Sequence, residues 1–151
     1  SYIKGQIHDI FEKGLTPIKY TITKDHTDSV LIKFSMLDDL LKEFLDPKID
    51  SANFVPYFTE TKFLDQTINA FTFTYDPKPE IPDSITIKHW DVYIDPETNK
   101  VQRVYLIKTN VRNKTLQLTW QSNKWCKTTT IITSADGQSN VEKEEKIVWD
   151  Y

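Results

Sequence analysis

Cysteine occurs once in the 151 residues, as Cys126, so the chain closes no disulfide on itself and holds no multi-cysteine metal site. Glycine occurs three times, which leaves no glycine-rich loop to cradle a phosphate. Neither a Gly-x-Ser-x-Gly elbow nor a His-Glu-x-x-His pair is written anywhere. No apolar run approaches the roughly 18 residues of a membrane-spanning helix. Net charge is −3, and the basic residues are scattered among acidic ones, so there is no basic stripe to set against nucleic acid. Methionine occurs once, at Met36, and the chain opens on Ser1; a removed upstream segment is expected, with an export signal among the candidates.

What is present is aromatic. Phe, Trp and Tyr make up 13% of a chain whose hydrophobic share is only 38%, so aromatic side chains carry much of the core and are the expected contact residues. The length suits one domain, residues 1–151, in which roughly 70% of the unfolded surface can be buried.

From Ser84 to Tyr151, segments rich in Thr, Val, Ile, Tyr and Trp alternate with turn residues, the pattern of an antiparallel meander. Ile85–Ile94 and Val101–Ile107 flank Asp95-Pro-Glu-Thr-Asn-Lys100, where Pro96 presets φ and Asn99 tolerates the left-handed region. Leu116–Trp120 and Trp125–Ile132 form a second hairpin. If Ser122-Asn123 is its two-residue turn, Trp120 and Trp125 stand opposite each other on the apolar face with Leu116 and Leu118. Cys126, Thr128 and Thr130 then share a polar face with Thr115, Gln117 and Thr119. Asp136-Gly137 marks a third hairpin, leading into Val141–Trp149.

The N-terminal half supplies helices and further strands. Ile3, Ile7, Ile10 and Phe11 form one stripe of a helix from about Tyr2 to Lys13, stopped by Gly14 and Pro17. Ile18, Tyr20 and Ile22 give a strand with one apolar face, and Val30–Ile32 can pair back on it. A second helix is predicted from Ser35, read as the start of a capping box with Asp38, to Asp46, with Pro47 as its stop. Phe54–Leu64 and Ile68–Tyr75 are two more strands, and the proline-rich Asp76–Asp83 is a connection. The fold class is therefore α+β. Two helices in the N-terminal half pack on a curved, mainly antiparallel sheet of six to eight strands, a meander in the form of a half-open barrel or cone.

His89, Asp91 and Tyr93 are alternate residues on one strand, and a histidine oriented by a carboxylate can act as a general base while a tyrosine donates to developing charge. The plainer account is a polar sheet face. His26, with Asp25 and Asp28, reads as a solvated turn, and His8 with Glu12 as a surface pair on a helix. Lys124 and Lys127 supply only faintly the electropositive neighbourhood that a nucleophilic Cys126 would need, so it reads as structural or incidental. No metal ligand set and no cofactor motif is legible. Register leaves open whether Trp90 or His89 joins the apolar side.

Lys88-His-Trp-Asp-Val-Tyr-Ile-Asp-Pro-Glu-Thr-Asn-Lys100, Leu118-Thr-Trp-Gln-Ser-Asn-Lys-Trp-Cys126 and Val141-Glu-Lys-Glu-Glu-Lys-Ile-Val-Trp-Asp-Tyr151 resemble small exported bacterial lipoprotein-type domains of uncharacterised function. That resemblance implies a periplasmic or cell-surface location, with membrane contact only through a removed N-terminal anchor, and brings no active-site residues. The expected function is a non-enzymatic exported binding or accessory domain. Trp90, Tyr93 and Tyr105 are its contacts to a glycan, a small apolar ligand or a protein partner. Two alternatives stand beside it. One is a small cavity enzyme of cystatin-like or nuclear-transport-factor-like shape using His89 and Asp91. The other is an assembly module pairing through an edge strand such as Val141–Trp149.

Overall fold

The computed structural model describes residues 2–46, 56–109 and 113–150. It is mostly one antiparallel sheet with a few short helices. Helix α1 spans Tyr2–Glu12, followed by β1 (Ile18–Thr23) and β2 (Thr27–Leu31). A 3₁₀ turn at Phe34–Met36 leads into α2 (Leu37–Leu40) and α3 (Lys42–Leu45). Seven strands follow: β3 (Phe58–Asp65), β4 (Ala70–Pro77), β5 (Ile87–Ile94), β6 (Val101–Thr109), β7 (Lys114–Gln121), β8 (Trp125–Thr133) and β9 (Ser139–Val148). The nine described strands form a single sheet in the order β2-β1-β9-β8-β7-β6-β5-β4-β3, where six to eight were expected. From β3 to β9 the order is a simple meander, and β1 closes on the far side of β9. The Val141–Trp149 segment is therefore an interior strand, paired with both β1 and β8, and the outer strands are β2 and β3.

Local chemistry sets the element ends. Gly14 takes φ of 62°, and the amides of Gly14 and Leu15 reach back to the Phe11 and Ile10 carbonyls, satisfying groups that the end of α1 would leave bare. Asp95 accepts the Glu97 amide at 2.8 Å and Asn99 sits at φ 58°, closing the β5–β6 turn as its residues foretell. Gly137, at φ 86°, does the same between β8 and β9. The expected single second helix is instead broken at Leu41 (φ −102°, ψ 12°), and no side chain caps the 3₁₀ turn or α2, so the Ser35–Asp38 capping box does not form. Ser35 lies inside the 3₁₀ turn, not ahead of the helix. Pro47 and the Phe54-Val55 start of the predicted third strand lie outside the described residues.

Register corrects the second hairpin. Gln121 pairs with Trp125 and Trp120 with Cys126, so the loop is Ser122-Asn123-Lys124, with Asn123 at φ 63°. Relative to the expected pairing, β8 is displaced by one residue, which exchanges its faces. Cys126, Thr128 and Thr130 join Trp120, Leu118 and Leu116 on the core face. Trp125 turns to the outer face, where the Lys146 ammonium lies 4.5 Å from its ring centroid. Strand β1 also departs from the usual arrangement. Its Lys19 pairs with Ile147 on the core face, which leaves Tyr20 and Ile22 exposed on the other.

Trp120 is wholly buried, with Phe44 edge-on at 5.3 Å and Trp149 at 5.2 Å. Its indole Nε1–H donates to Gln6 Oε1 at 3.2 Å. The same oxygen accepts the Asn123 amide at 2.7 Å, and Gln6 Nε2 donates to Asn123 Oδ1 at 3.0 Å. Gln6 thereby ties α1 to the β7–β8 loop, with both its amide oxygen and its amide nitrogen hydrogen-bonded.

Candidate functional site

A cavity of about 680 Å³ opens between α1, the α2–α3 segment and the core face of β5 and β6. Ile87, Trp90 and Val92 of β5 and Val101, Val104 and Leu106 of β6 form one wall. Ile3, Phe44 and Leu45 form the other, and Tyr2, Lys4, Asp38, Lys42 and Asp46 also border it. The size falls within the roughly 300–1,000 Å³ of small-ligand pockets, and an apolar lining with a few polar groups is their common character.

One irregularity in β5 builds this wall. Ile87 stands opposite Lys108, whereas His89 stands opposite Ile107, so Lys88 is an extra residue in the ladder. Ile87 and Trp90, three apart, consequently share the core face, with Val92 following by ordinary alternation. His89, Asp91 and Tyr93 fall on the outer face.

Lys108 is 4% exposed on the cavity wall. Its ammonium donates to the backbone carbonyls of Glu43 and Asp46 and lies 3.6 Å from the Glu43 carboxylate. Burial lowers its pKa, and the Glu43 charge works against that. The donors are thus engaged at the C-terminal end of α3, a familiar use of lysine. The wall beside them stays apolar.

On the outer face His89 is clasped by two carboxylates. Its Nδ1 lies 2.8 Å from Asp76 Oδ1 and its Nε2 2.9 Å from Asp91 Oδ2. Asp91, 8% exposed, also accepts the Thr74 hydroxyl at 2.6 Å. Partial burial lowers the His89 pKa, but the hydrogen bonds to Asp76 and then Asp91 outweigh it, and the net shift is upward. Burial first, and the Asp91 charge next, raise the pKa of both Tyr93 and Tyr105. Two carboxylates, one at each ring nitrogen, favour the protonated form of His89 and so work against a general-base role.

The structure therefore divides the expected site residues between two surfaces. Trp90 lines the cavity. Tyr93 and Tyr105 lie on the opposite face with His89 and Asp91, and none of these four borders either this cavity or a smaller one of about 80 Å³ near Cys126. His89 and Asp91, expected in the cavity of a small enzyme, do not border this one: the sheet stands between them and the space. Cys126 is 2% exposed and burial pushes its thiol pKa up, both of which disfavour a nucleophilic role. Among the described residues no cluster of His, Cys, Asp and Glu is arranged to hold a metal ion, and His8 and Glu12 form an exposed 3.6 Å pair. Gln6, Val101, Val104, Leu106 and Lys108 escaped sequence reasoning. Alternation along β6 points to Val104, Leu106 and Lys108, whereas Val101 joins them only through the register shift at Tyr93 and Ile94. Comparison of the chain with protein-family models, with curated proteins and with solved structures gives no match.

Proposed function

We propose that the chain is a non-enzymatic binding domain that takes a small apolar ligand between its N-terminal-half helices and the inner face of a sheet curled as a half-open barrel or cone. The observation that carries this reading is the apolar lining of the 680 Å³ cavity, with the Trp90 ring in its wall. A glycan would present hydroxyls to Ile87, Val92, Val104 and Leu106, which offer no side-chain hydrogen bond in return, and each unpaired polar group costs roughly 1–3 kcal/mol. An apolar ligand gains instead about 25 cal/mol for each Å² it withdraws from water. The exported or surface location implied by the family resemblance suits such a carrier or accessory role and belongs to the same proposal.

The test is displacement of N-phenylnaphthylamine, a neutral apolar fluorophore, by dodecane-chain alcohols and acids. Saturable one-to-one binding is expected, weakened at least tenfold in Trp90→Ala and in Val104→Phe, which fills the cavity, and unchanged in His89→Ala. Absence of saturable binding, or loss in His89→Ala with retention in Trp90→Ala, refutes the proposal.

A further inference from the structure

Strand β3 is an outer strand whose ladder partner is β4, and six of its eight residues are exposed. Phe63 is 51% and Leu64 47% exposed, an unusual load of apolar surface for a strand with one ladder partner among the described residues. Its charged residues are Glu60, Lys62 and Asp65. Lys62 has no carboxylate partner among the described residues, while Glu60 accepts the hydroxyl of Tyr75, its neighbour across the ladder.

Charges on an edge strand block pairing when they meet an apolar side chain or their own sign. The order of charges in β3 opposes every self-pairing of this kind but one. With antiparallel strands related by a two-fold axis through Thr61, Glu60 of each copy stands opposite Lys62 of the other. In that register Thr59 meets Phe63 and Phe58 meets Leu64. Glu60 and Lys62 lie on the same face as Tyr75 and Phe73, so both ion pairs form on one side of the joined sheet. An axis through Glu60 sets glutamate against glutamate, and an axis through Lys62 sets lysine against lysine. An axis between residues is excluded by geometry, since it would set residues of opposite faces against each other. The other outer strand, β2, has five residues with Asp28 as its one charge, and encodes no such register.

We infer that a second copy of this chain docks on β3, strand to strand about a two-fold axis through Thr61, with reciprocal Glu60–Lys62 pairs fixing the register. The interface is isologous, as in most homodimers, and it covers the exposed Phe63 and Leu64.

Sedimentation velocity from about 1 to 100 μM tests it. The full chain is expected to run at twice its 17.7 kDa mass at the upper concentrations. Lys62→Glu and Glu60→Lys each turn two attractive cross-strand pairs repulsive and should weaken the dimer about tenfold or more. The double variant Glu60→Lys/Lys62→Glu swaps the signs and should restore it. All four side chains involved are exposed, so folding is not expected to change, which circular dichroism checks. Thr61→Cys supplies a second readout: directly opposed residues lie about 4.5–5.5 Å apart at Cα, within disulfide reach, so mild oxidation should yield a covalent dimer that Thr59→Cys does not. A monomer at 100 μM, a dimer indifferent to both single reversals, or a Thr61→Cys variant that does not cross-link overturns the inference.

Discussion

Replacing His89 by Gln should remove a stabilisation that exists on the acid side of neutrality and fades on the alkaline side. Both ring nitrogens face carboxylate oxygens at 2.8 and 2.9 Å, and only the imidazolium can donate to both. Neutral imidazole leaves one nitrogen lone pair against a carboxylate. The folded-state pKa is raised, although partial burial pulls it down, because the two carboxylates prevail. The contribution is therefore complete below the unfolded value of about 6.5 and is lost as pH climbs through the higher folded value. Its size follows from exposure. The Asp91 side chain is 11% exposed, and a hydrogen bond to a charged group is worth about 1.5–3 kcal/mol. The Asp76 side chain is 57% exposed, and solvent screening reduces that pair to about 0–1 kcal/mol. The wild type should exceed His89→Gln by about 2–3 kcal/mol at pH 5.5 in urea denaturation, or about 4–12 °C in melting temperature, with the gap falling below about 1 kcal/mol by pH 9. Other titrating groups cancel in the difference. A proton NMR titration should place the His89 midpoint above 6.5. A gap that is constant with pH, or that widens above pH 7, refutes the assignment of an imidazolium clasped by both carboxylates.

Two further outcomes test the core and the corrected register. Trp120→Ala removes a wholly buried ring packed on Phe44 and Trp149 and leaves Gln6 without its indole donor, so urea denaturation should show a loss of about 3–5 kcal/mol; a loss under 1 kcal/mol would show that this ring is not central. Cys126, 2% exposed with a raised thiol pKa, should resist Ellman's reagent in the native protein and give one equivalent in guanidinium. Prompt native reaction would place it on the outer face and return β8 to the pairing with Trp125 opposite Trp120.

How much of this was legible depends on whether chemistry was local. Asp95, Asn99, Gly137 and Gly14 mark their turns and helix end because each answers a backbone demand a few residues away, and the structure uses all four as their types suggest. Face assignment in a sheet is different, because parity must be carried from strand to strand, and a single inserted residue reverses everything downstream. The sequence around Ser122-Asn123-Lys124 suits a loop of two residues or of three, and the third residue moves Cys126 into the core. Lys88 resembles any strand lysine, yet as the extra residue in the ladder it lets Ile87 and Trp90 share a wall.

Part of the division between surfaces could still be read without the structure. Trp90 and Tyr93 are an odd number apart, so plain alternation already sends them to opposite sides, and a single site containing both would have required a second bulge between them. The cavity itself was beyond reach, since its walls come from Ile3, Phe44 and Leu106, positions joined only by tertiary packing. The polar anchor of that packing, Gln6, sits on the helical stripe between Ile3 and Ile7. Composition reads it as an interruption, and the Trp120 indole and the Asn123 amide, both more than 100 residues away, make it a partner. The local hydrogen-bond inventory of a sequence thus gives element ends, while the choice of face and the shape of the cavity are decided by insertions of one residue and by partners that sequence order keeps far apart.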